Sequence, residues 1–111
     1  MDELVQRLAN GEHPVIVGGP GPSLEEFQKR VSDMGYVFIK FTDTRGGTDL
    51  GVRVDKQATD VSQADFQQGL GTVHVEGTLT LNYVKVRCVA DIQLDTLSGN
   101  GHLVILEEVK V

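Results

Sequence analysis

Apolar and polar residues alternate through the C-terminal part of the chain, residues 71–111. Val73, Val75, Leu79 and Leu81 share one parity, and Val84, Val86, Cys88, Ala90, Ile92 and Leu94 share the other. Successive strand side chains point to opposite faces, so each run builds one apolar and one mixed face. The parity changes at Asn82-Tyr83, which reads as a two-residue turn. A bulge in one long strand is the competing account, because Tyr is a poor residue for a primed turn. The tetrapeptide 98–101, SGNG, reads as the turn of the next hairpin. Together these turns set a register. It aligns Val73 with Ile92 and Ile105, Leu79 with Val86 and Val111, Gly77 with Cys88 and Val109, and Val75 with Ala90 and Glu107. The reverse face carries His74/Asp91/Leu106, Glu76/Val89/Glu108 and Thr78/Arg87/Lys110. A one-residue slip would invert both faces.

Helical spacing appears earlier in the chain. Leu4, Val5 and Leu8 follow Asp2 and stop at Asn10-Gly11, which predicts a short helix with a narrow apolar stripe. His13-Pro14 opens an extended run, Val15-Ile16-Val17. After a Gly/Pro cluster, Ser23 and Glu26 form the S-x-x-E capping pattern, and Leu24, Phe27, Val31 and Met34 give the next helix its stripe. Gly35 ends that helix, and Tyr36 to Phe41 is a strand. Strand, helix, strand is the βαβ pattern and predicts parallel strands. Leu50, Val52 and Val54 then alternate, so residues 37–55 read as a hairpin. Ser62, Asp65 and the pair Val61/Phe66 predict a further short helix. The whole is one α+β domain, residues 1–111: a largely antiparallel sheet with an N-terminal βαβ unit and two to three short helices packed on one face.

Composition narrows the functional classes. The 111 residues carry a formal charge of −6, six aromatics and no Trp. With no cluster of Lys or Arg, nucleic acid and anionic membranes are disfavoured as partners. No apolar run spans a bilayer, and the N-terminus lacks the pattern of a signal peptide. The single Cys88 sits on an apolar face and reads as a buried structural thiol. These features predict a cytoplasmic protein without a cofactor.

The candidate chemistry is thin. Gly18, Gly19, Gly21 and Ser23 form a Gly-rich turn before a helix, where backbone N–H groups could seat an anion. The turn lacks P-loop and dinucleotide signatures, and Pro20 and Pro22 remove two donors. Asp43 and Asp49 flank a Gly-Gly turn and are the weak candidates for a cation, though no calcium-loop order is present. His74 and His102 fall about 16 Å apart in the register above, too far to share a metal, with His74 opposite Asp91 and His102 opposite Asp95. No nucleophile motif is found, so the reading leans away from an enzyme. The strand Leu103 to Leu106 is apolar on both faces. Val89, Val104 and Leu106 then cluster on an otherwise polar face, as interaction sites do. The sequence therefore predicts a small acidic accessory module that binds protein, as a homodimer or a partner subunit, through that patch or through the edge of the last strand. A small-ligand binder or enzyme with an anionic ligand at the Gly18 to Ser23 loop and helix N-terminus is the alternative.

Overall fold

The computed structural model describes residues 2–109. The elements run α1 (Glu3–Leu8), β1 (His13–Val17), α2 (Leu24–Lys29), β2 (Tyr36–Phe41), β3 (Thr48–Val54), β4 (Ala64–Asp65), β5 (Leu70–Leu81), β6 (Val84–Gln93) and β7 (Ser98–Glu108). A π-helical turn, Arg30–Met34, continues α2. All strand pairs are antiparallel, in the order β3-β2-β1-β7-β6-β5-β4. The sheet twists until β3 meets β5, so six of the strands close into a barrel. One residue in two points inward along each wall. Val15, Val37, Ile39, Phe41, Val52, Val73, Val75, Val86, Cys88, Ile92 and Leu103 are all buried there.

The predicted hairpin of β5 and β6 forms in the predicted register, Val73 opposite Ile92 and Leu79 opposite Val86. Asn82 and Tyr83 both have positive φ, 49° and 65°, which is the backbone of a primed two-residue turn and not of a bulge. The hairpin of β2 and β3 forms as well. Ser23 caps α2, its hydroxyl accepting from the Glu26 N–H at 3.1 Å, and Gly35 closes the π-turn at φ 67°. Phe27 and Val31 are buried, whereas Met34 is exposed.

Four expectations need correction. First, β1 and β2 are antiparallel neighbours, Val15 opposite Phe41, so there is no βαβ crossover. Parallel strands are covered on both faces, but β1 turns Pro14 and Ile16 outward. Second, β7 is displaced by six residues: Ile92 faces Gly99, and Ile105 faces Val86. The SGNG segment lies inside β7 because its glycines permit close strand contact. A Cβ on Gly99 would stand 1.8 Å from the Asp91 carbonyl oxygen. The chain turns instead over residues 94–97, with Leu97 at φ 53°, a residue that gives no turn signal. The predicted rows ending in Lys110 and Val111 fall outside the described residues. Third, no helix forms at Ser62. The Asp60 carboxylate accepts the Ser62 N–H at 2.8 Å and makes a turn that leads into β4. Fourth, the sheet closes on itself, so the helices do not lie over one face of an open sheet. Helix α1 is tied to two turns at one end: Asp2 accepts from Asn82 at 3.1 Å, and Arg7 donates to the Asp43 carbonyl at 2.6 Å. Val5 and Leu8 are fully buried there.

Candidate protein-docking surface

The barrel is closed by very little. Strands β3 and β5 pair only at Arg53–Thr78 and Val54–Gly77, and then part. Gly77 makes the contact possible, because a Cβ there would meet the Arg53 carbonyl oxygen at 2.2 Å. Above the junction lies a cleft of about 520 Å³, within the usual range of binding clefts. Tyr36, Asp49, Gly51 and Arg53 form one wall, and Thr78, Thr80 and Lys85 form the other. Leu50, Leu79 and Leu81 form an apolar floor.

Both walls are sheet edges. The Asp55 N–H donates to the Glu76 carbonyl at 2.8 Å. Backbone groups in an antiparallel ladder point to alternate sides, so those of Asp49 and Gly51 on β3 and of Thr80 on β5 are aimed into the cleft. Among the described residues no strand lies between them. Tyr36 leans across Gly51, where a Cβ would lie 1.9 Å from its hydroxyl. Its ring stands edge-on to Phe38 at 5.4 Å, and the Arg30 guanidinium sits 5.0 Å from the Phe38 ring. These contacts hold the aromatic wall upright. Sequence reasoning missed this cleft. The available signal was Gly51 inside an alternating strand, which marks a close approach of a neighbour.

The residues singled out from sequence are distributed differently. Val104 and Leu106 are exposed and Val89 is half-buried. Val89 pairs with His102, Val104 pairs with Arg87, and Leu106 lies at the register shift after Ile105. The patch is therefore drawn out along β7. Beyond Gly101 the far edge of β7 has no strand partner among the described residues. At the Gly-rich turn, the Gly19 N–H donates to the Asp49 carboxylate at 2.8 Å, so the seat for an anion is filled from within the chain. Asp43 instead accepts from His13 at 2.7 Å, and its other oxygen is buried without a partner. The two carboxylates proposed for a cation thus belong to separate contacts. Gly18 packs against Asp49, while Gly21 is open and Ser23 is committed to its cap.

His74 heads a charged chain on the outer wall. Its Nδ1 lies 2.8 Å from Asp91 and its Nε2 2.7 Å from Glu76. Arg87 joins Glu76 at 2.9 Å to Asp55 at 2.8 Å. With a carboxylate at each ring nitrogen, Glu76 foremost, the His74 pKa is raised. Those of Glu76 and Asp55 are lowered, chiefly by the hydrogen bonds from His74 and from Arg87 respectively. His102 contacts Glu12 at 2.7 Å and not Asp95, because β7 is shifted. The offset between His74 and His102 is two rows where four were expected.

Two unpaired edges above an apolar floor are the equipment of a protein-binding module. Comparison with family profiles matches residues 20–111 to the core binding factor beta subunit. The chain belongs to that family. Its members are non-catalytic partner subunits of transcription-factor complexes, in accord with the accessory, protein-binding reading of the sequence. Family members act in the nucleus, which overturns the cytoplasmic placement. Composition and charge describe a soluble surface and carry no address, so they could not distinguish the two compartments. A comparison with curated proteins returned no match. Among the described residues no helix is long and apolar enough to cross a membrane.

Proposed function

We propose that this chain is the non-DNA-binding half of a heterodimer and receives its partner, a DNA-binding subunit of the RUNX class, at the cleft between β3 and β5. The observation that carries the reading is the two-pair seam, which leaves Gly51 and Thr80 facing each other with unpaired backbone. An extended segment of the partner adds to one or both edges, and its side chains reach Leu50, Leu79 and Leu81. The net charge of −6 keeps this chain itself off DNA.

The test is a binding assay with a RUNX-class domain. Tyr36→Ala and Leu81→Ala should each weaken association at least tenfold, with the fold checked by circular dichroism. Unchanged affinity in both folded variants rejects the cleft. A second reading places the partner, or a second copy of the chain, on Val89, Val104 and Leu106. It is favoured by the exposure of Val104 and Leu106 and by the stretch of β7 beyond Gly101 that has no strand partner on that side among the described residues. Leu106→Glu is the discriminating variant. Loss of binding or of self-association in that protein alone transfers the site to β7.

A further inference from the structure

We infer that the segment received by the cleft is a strand in which apolar residues alternate with acidic ones. The inference rests on the docking role proposed for the cleft and goes further, because it states the chemistry of the occupant. The two sides of the cleft differ in kind. The inward positions, Leu50, Leu79 and Leu81, are aliphatic and continuous with the core. The outward positions carry Arg53 and Lys85, with the hydroxyls of Thr78 and Thr80 between them. Neither Arg53 nor Lys85 has an ion pair among the described residues, unlike Arg87, which shares the row of Arg53 and has two. Asp49, the one carboxylate on the walls, is already engaged by the Gly19 N–H at 2.8 Å. On a molecule of net charge −6 the mouth thus carries two cations, Arg53 and Lys85, to one carboxylate, Asp49. Side chains of an added strand point alternately in and out. Those turned in meet leucines, and those turned out lie between a guanidinium and an ammonium. Carboxylates at the outward positions complete both the hydrogen-bonding and the charge, whereas Lys or Arg there would be repelled.

Three heptapeptides test this: Val alternating with Glu, with Gln and with Lys, each titrated into the full chain and followed by backbone amide NMR. The Glu peptide should shift Gly51 and Thr80 and bind at least tenfold tighter than the Gln peptide at low salt, the advantage shrinking as salt is raised. Arg53→Glu/Lys85→Glu should abolish the preference and favour the Lys peptide; both side chains are exposed, and Arg53→Glu alone should act in the same direction. If all three peptides shift Gly51 and Thr80 with equal affinity, the cleft stands as a strand receptor and the acidic specificity is overturned. If the Lys peptide binds best, the specificity is likewise overturned. If none of them moves those amides, strand addition itself fails, and with it this inference.

Discussion

The backbone N–H of Gly19 donates to the carboxylate of Asp49, at 2.8 Å, across thirty residues of sequence. A loop that resembles an anion seat is thereby occupied by the chain's own anion, and β1 is stapled to β3 beside the cleft. Inorganic phosphate at millimolar concentration should leave the amide signals of Gly19, Gly21 and Ser23 unmoved. Asp49→Asn weakens the bond to one between neutral groups and should destabilise the fold by about 1 kcal/mol. A phosphate-dependent shift in the wild-type chain would restore the ligand-binding reading.

Gly77 and Gly99 should not tolerate a side chain. A Cβ at either would lie within 2.2 Å of a backbone carbonyl oxygen, Arg53 for the first and Asp91 for the second. Backbone in a paired strand has little freedom to yield. Alanine at each position should therefore cost about 3 kcal/mol, read from denaturant unfolding. Leu106→Glu, on the outer surface, should stay within about 0.5 kcal/mol of wild type.

Stability should depend on pH through two histidines. Buried His13 offers Nδ1 to Asp43 at 2.7 Å and Nε2 to the Asn10 carbonyl at 3.0 Å, so both nitrogens donate and the ring is held as imidazolium. Its pKa is raised, first by the Asp43 hydrogen bond, and that of His74 is raised by Glu76 and Asp91. A group whose folded pKa lies above the unfolded value, about 6.5 for His, contributes fully below that value. Its contribution is lost as pH rises through the folded pKa. The melting temperature should thus fall from about pH 6.5 upward. His13→Gln should flatten part of the slope and His13→Gln/His74→Gln most of it. A wild-type melting temperature constant from pH 6 to 9 would refute the imidazolium assignment.

Cys88 lies wholly inside the barrel, and burial pushes its thiol up to about 12. Native protein at pH 8 should resist iodoacetamide for hours and react within minutes once denatured, as mass spectrometry would show. Rapid native labelling would mean that the β6 wall opens.

The parts of the fold legible in the sequence were those set by local pattern. Parity fixed the hairpin of β5 and β6, down to Val73 opposite Ile92, because both strands alternate cleanly and Asn82 marks the turn. The β6–β7 register was not legible. Gly99 and Gly101 look like turn residues in one dimension, but they act as strand residues wherever a neighbouring backbone comes close. Closure of the barrel was equally hidden. It depends on the accumulated twist of the sheet and on one contact at Gly77, neither of which leaves a periodic trace. The cleft was therefore invisible too, since its two walls, β3 and β5, are distant in sequence. What the sequence did show was the class of protein, an accessory module, and the apolar surplus on β7.

The short junction of β3 with β5 also bears on how the molecule breathes. Two residue pairs, Arg53–Thr78 and Val54–Gly77, offer little resistance to transient separation. Hydrogen exchange should thus be fastest along this line and slowest in the β5–β6 pairing. A bound strand would extend the line at both edges, so occupancy and rigidity rise together. Association should then raise the melting temperature with partner concentration and protect amides on both sides of the gap, making the subunit most ordered when it is assembled.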